Sequence, residues 1–171
     1  MSKKGYLTAE EYRAIRTALG FTQVEAQAFH RVQNVRTIKN WEKGTSFVSE
    51  LACDKIVGLF KQVNKLVYAT EDKITEHFNS VPKKDWQTAV LIQYPDSCYK
   101  QFVFDIGDLP NSIHKKMIER IYTDLTEEGY PVGIIMFNAA DYFTFLSANG
   151  LQDCHESRSA WATAAYRSNK S

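Results

Sequence analysis

Two Thr-x-x-Glu sequences, Thr8–Glu11 and Thr22–Glu25, fix where two helices begin near the start of this chain. In such a box the threonine hydroxyl accepts from a first-turn amide, and the glutamate reaches back to the threonine amide. The first helix carries Tyr12, Ile15 and Leu19 at helical spacing and is predicted to stop at Gly20. The second is short, running to about His30. Asn34 is placed to cap a third helix, in which Val35, Ile38 and Trp41 recur every three residues and which ends near Gly44. Ser49 opens a fourth and longer helix. Its apolar positions, from Leu51 through Val67, repeat at threes and fours, and the helix can run towards Phe78 until Ser80-Val-Pro82 breaks it.

Beyond Pro82 the pattern changes. Ala89–Tyr94 reads as a strand, Gln101–Phe104 as a shorter one, and Asp108-Leu-Pro-Asn111 as a turn. Ile113, Met117, Ile118, Ile121 and Leu125 mark an amphipathic helix of about three turns, ending near Gly129. Pro131–Phe137 is the third strand. Ala140–Ser147 reads as a helix stopped by Asn149-Gly150, Ser157–Tyr166 as a last short helix, and Arg167–Ser171 as a frayed tail. The expected fold class is a mainly α N-terminal bundle over residues 1–67, followed by a small α+β domain over 68–171.

Charge divides along the same line. The chain of 171 residues has a net charge of only +1, but residues 1–65 hold eleven Lys and Arg against six Asp and Glu, and the remainder holds ten against fourteen. A basic first part suggests a polyanionic partner. No apolar run is long enough to span a bilayer, and no apolar segment follows Met1-Ser-Lys-Lys-Gly5. A cytoplasmic protein with no membrane partner is the expectation. Cys53, Cys98 and Cys154 are odd in number and far apart, which fits reduced thiols. Asp153-Cys154-His155 is the only local group of metal-binding types, and consecutive ligands are not a zinc spacing. No nucleophile elbow, dinucleotide fingerprint or P-loop is present, so neither catalysis nor a cofactor is expected.

Two short helices joined by a tight turn, the second polar on its outer face, describe a helix-turn-helix. Gln23 stands at the start of the second helix, where it can meet a phosphate. Ala26 and Ala28 allow close helix approach. Val35, Ile38 and Trp41 give the third helix a face to bury, while Arg36, Lys39, Asn40 and Lys43 occupy the other face. These side-chain types read base edges and phosphates. Arg31 lies in the turn, as a phosphate contact or simply solvated. Arg13 reads as solvated, and Lys3 and Lys4 as either a backbone-following arm or a disordered terminus.

Arg16-x3-Gly20-Phe-Thr-Gln23, with Trp41-Glu42-Lys-Gly44, resembles the Cro/C1-type (Xre-like) helix-turn-helix of phage repressors and related bacterial regulators over about residues 7–62. The resemblance implies an Arg16–Glu42 ion pair beneath the recognition helix. It implies Val35, Arg36, Lys39 and Asn40 as base-reading positions, and Gln23 and Lys43–Thr45 at phosphates, to which the reading of the turn adds Arg31 and Asn34. The turn His30-Arg-Val-Gln33 lacks the common glycine and is one residue longer, and Phe47-Val-Ser49 stands where a proline often follows. More loosely, the run from Glu25 to Gly44 and the late Ala160–Tyr166 segment are similar to anti-CRISPR-associated autorepressors with a C-terminal dimerisation domain. What this implies is a homodimeric repressor, binding an inverted repeat in double-stranded DNA near its own promoter. Two alternatives keep DNA binding: an antitoxin whose C-terminal part holds a partner protein, or an effector-gated regulator with a ligand among Tyr142, Phe143 and Phe145.

Overall fold

The structure is a computed structural model that describes residues 7–102 and 109–170. It is mostly helical, with one small two-stranded parallel sheet among the described residues. The chain divides into two compact units, Met1–Tyr68 and Ala69–Ser171. Lys3 and Lys4, and Val103, Phe104 and Asp108 of the expected strand and turn, lie outside the described residues.

The first unit holds α1 (Ala9–Ala18), α2 (Gln23–His30), α3 (Val35–Glu42) and most of α4 (Glu50–Asn79). Both capping boxes form. Thr8 Oγ1 accepts from the Glu11 amide at 3.1 Å while Glu11 accepts from the Thr8 amide at 2.7 Å, and Thr22 and Glu25 repeat the arrangement. Gly20 adopts φ 77°, the left-handed region in which a side chain is strained. Asn34 sits at the N-cap of α3 in extended conformation, but its side chain makes no capping hydrogen bond, contrary to expectation. The Ala52 amide donates to Ser49 Oγ at 3.3 Å, as the start of α4 requires. Tyr12, Leu19, Phe21, Ala26, Ile38, Trp41, Val48 and Ile56 fill the core. The Tyr12 and Trp41 rings meet edge to face at 5.4 Å, an arrangement favoured by the ring quadrupoles.

The second unit continues from the last turns of α4 through a 3-10 turn, Lys83–Asp85, into β1 (Ala89–Gln93), α5 (Tyr99–Phe102), α6 (Asn111–Glu127), β2 (Val132–Met136), α7 (Ala139–Asn149) and α8 (His155–Ser168). The strands pair in parallel, with Ala89 opposite Val132 and Gln93 opposite Met136. Both α6 and α8 pack on the two strands. Gly133 allows a close approach: a Cβ there would fall 2.4 Å from Tyr166 Cζ of α8. Parallel pairing demands a long crossover, here supplied by α5 and α6.

Further expectations are corrected. Gln101 and Phe102 are helical, not a strand. The Pro95 carbonyl accepts from the Cys98 and Tyr99 amides and starts a helical turn, and the Phe102 carbonyl accepts from Arg158 Nη1 at 2.8 Å in place of a strand neighbour. The helix α6 has 17 residues rather than about three turns, because Asn111 begins it. The Asn111 amide anchors that start by donating to the Tyr94 carbonyl at 2.6 Å. The supposed frayed tail is helical through Ser168, with Arg167 Nη2 donating to Gln87 Oε1 at 2.7 Å. That helix also starts earlier than expected, since Cys154 Sγ accepts from the Ser157 amide.

Candidate nucleic-acid interface

Helix α3 is two-sided by residue type. Ile38 is fully buried and Trp41 is 6 % exposed, whereas Arg36, Lys39 and Lys43 are exposed. Val35 and Asn40 are half-buried at the edge of that basic face. Spacings of three, four and seven put Arg36, Lys39, Asn40 and Lys43 together on one side of a helix. Thr45 follows in the loop and is exposed. Its hydroxyl and amide both donate to the Asn40 carbonyl, at 3.2 and 3.0 Å, which closes the end of α3.

Beneath this helix lies a charged lock. Arg16 Nε donates to Glu42 Oε1, and Arg16 Nη1 donates to the Phe21 carbonyl. Gln23 Nε2 donates to the other carboxylate oxygen of Glu42 at 2.7 Å. The Glu42 side chain is 4 % exposed and that of Arg16 13 %. One buried carboxylate thus ties the end of α3 to α1 and to the start of α2. A buried ion pair of this kind contributes little net energy, but losing one partner leaves a charge stranded. Gln23 was read as a phosphate contact; its side chain is positioned by Glu42 at the first residue of α2.

The turn between α2 and α3 is set by Arg31, at φ 56° and ψ 38°, the one described non-glycine residue in the left-handed region. Its amide donates to the Ala28 carbonyl, and the Val32 amide to the Gln27 carbonyl, which ends α2. Gln27 Nε2 then donates to the Val32 carbonyl at 3.1 Å. Arg31 and Asn34 are both exposed. Gln27 was not singled out in the sequence, since a lone glutamine in a short helix carries no pattern.

His30 was likewise passed over. It is 8 % exposed and lies against the Tyr12, Phe29 and Trp41 rings, at 5.8, 5.0 and 5.5 Å. Neither imidazole nitrogen has a hydrogen-bond partner. Burial, with a smaller contribution from Lys55, pushes its pKa down to about 4, so it is neutral at physiological pH. Phe47, in the loop before α4, is 96 % exposed. Periodicity marks helix faces and is silent on loops.

In the second unit, Asp153 is occupied by its neighbours. It accepts from Tyr142 Oη and from Arg158 Nε, each at 2.7 Å, and the Arg158 contact holds its carboxyl below the usual range. No group of three or more His, Cys, Asp or Glu among the described residues is arranged to hold a metal. No helix among them is long and apolar enough to cross a membrane.

A family model described as a domain of unknown function, DUF4447, matches residues 1–166, and the chain belongs to that family. No curated protein matches it.

Proposed function

We propose that this protein is a sequence-specific DNA-binding regulator, a homodimeric repressor that inserts α3 into the major groove of an inverted repeat. The observation that carries the reading is the two-sidedness of α3. Its apolar face is locked onto α1 and α2 through Ile38, Trp41 and the Arg16–Glu42–Gln23 lock, and its outward face presents Arg36, Lys39 and Lys43 to solvent. In this reading α2 and α3 form a helix-turn-helix of the Cro/C1 type within a helical N-terminal domain. The α+β unit holds the second copy. Arg36, Lys39, Asn40 and Val35 meet base edges; Arg31, Asn34, Lys43 and Thr45 follow the backbone, and Gln23 presents the start of α2 to a phosphate. A held helix with free basic side chains suits groove reading, because the scaffold meets the orientational cost before binding. Repression follows from occupying a promoter, the protein's own being the simplest target.

The test is binding to its own upstream DNA, titrated at several salt concentrations beside scrambled DNA. Preference for the upstream sequence, saturating at two protomers per site, is expected, with a log–log salt slope that counts phosphate contacts. Arg36→Ala is expected to cost about 1–3 kcal/mol on that site and to relax discrimination at one base. Equal affinity for both DNAs, or no binding at low salt, overturns the reading.

A further inference from the structure

We infer that a second copy of this chain adds to the outer edge of β2, joining the two small sheets into one four-stranded sheet. The inference takes the homodimer from the reading above and names where it forms. The register and the hydrogen bonds from Ala89 N–H to the Pro131 carbonyl and from Phe137 N–H to the Gln93 carbonyl fix the alternation along the pair. Gly133 and Ile135 turn their backbone groups towards β1. Val132, Ile134 and Met136 turn theirs outward, and no hydrogen bond among the described residues reaches those groups. β1 has the corresponding open edge at Val90 and Ile92.

The β2 edge is self-complementary. A two-fold axis through Ile134 sets two β2 strands antiparallel, with Ile134 opposite its own mate and Val132 opposite Met136 of the second copy. In antiparallel pairing, directly opposed residues whose backbones face each other exchange both hydrogen bonds. Every outward donor and acceptor of both edges is then used, as an isologous interface requires. The β1 edge has one fewer outward residue, so its best two-fold, through Leu91, forms fewer bonds. Val132–Met136 contains no charged residue, so self-pairing opposes no like charges. Met136 is 51 % exposed, the one exposed side chain on either strand, and would pack against Val132 of the second copy. Edge strands are commonly blunted by lysine or proline, and this one carries neither. The outside of β2 is therefore the edge best suited to a partner strand, and its symmetry selects an identical one.

The test is sedimentation of the full chain over a concentration series, with Met136→Lys, Val132→Glu and the double variant. The wild type is expected to dimerise. Each single change is expected to raise the dimer dissociation constant roughly tenfold or more, because a symmetric dimer carries it twice. The double variant places the introduced lysine of each copy opposite the introduced glutamate of the other and is expected to recover most of the loss. Circular dichroism reports whether each variant folds, and Met136→Glu with Val132→Lys replaces any that does not. A wild type monomeric at every concentration, a dimer indifferent to both single changes, or folded double variants no better than the singles each overturns the inference. A dimer in this register that does not prefer its own upstream DNA keeps the inference and overturns the DNA reading. A specific DNA binder that is monomeric in solution overturns the inference and the homodimer of the reading, and keeps its DNA specificity.

Discussion

Arg31 holds a conformation that glycine adopts freely and other residues adopt at a cost of order 1 kcal/mol. Arg31→Gly is therefore expected to raise stability by roughly 0.5 kcal/mol, after glycine's greater freedom in the unfolded chain is set against the relief of strain. Thermal unfolding reads that change. If Arg31 also follows a DNA phosphate, the same variant binds its site more weakly while melting higher, two readouts that a merely solvated side chain does not separate. Glu42 is the opposite case. Glu42→Gln keeps the shape but leaves the Arg16 guanidinium, 13 % exposed, without a counter-charge. A loss of about 3 kcal/mol is expected from denaturant titration. A loss below ~1 kcal/mol would mean that solvent screens the pair as it does a surface one.

Among the elements, β2 and α8 approach closely at Gly133. Gly133→Ala drives a methyl into the Tyr166 ring, whose far end must swing aside. A destabilisation of about 1–2 kcal/mol is expected, as for other overpacked sites. Tyr166→Ala in the same chain should cancel most of it, and a double-mutant cycle by chemical denaturation measures that coupling. Additive costs would show that the ring is not what the methyl meets. Element types show what local sequence encodes. The helices α1, α2 and α7 were legible because their starts and stops lie within a few residues: Thr8 with Glu11, Thr22 with Glu25, and Gly150 at φ 61° after Asn149. The short α5 was misread because Tyr99–Phe102 is too brief to show a period. Distant partners hold its last residue: Phe102 packs on the Phe137 ring at 4.7 Å, and its carbonyl accepts from Arg158.

At the scale of the whole molecule, each unit holds a neutral histidine, His30 buried and His114 half-buried. Burial pushes both His30 and His114 down to about 4. Because the folded values lie below the unfolded one near 6.5, the unfolded chain takes up protons first as pH falls. Stability is thus complete above about pH 6.5 and declines down to about pH 4. Each histidine can contribute a loss of order 2–3 kcal/mol across that window. Thermal unfolding at pH 7, 6 and 5 is expected to show a falling midpoint, and His30→Phe to flatten part of the fall. A midpoint unchanged between pH 7 and 5 would place both rings in water. The sequence by itself determined the basic first third, the mainly helical composition, the capped helix starts and the exposed Arg36–Lys39–Lys43 series, because capping and periodicity act over a few residues. Only the tertiary structure decided that β1 and β2 pair in parallel, that Gln23 locks onto Glu42 and that His30 is enclosed. Each of those depends on groups distant in the chain, or on a packed core around them, and no local pattern encodes which distant groups will meet.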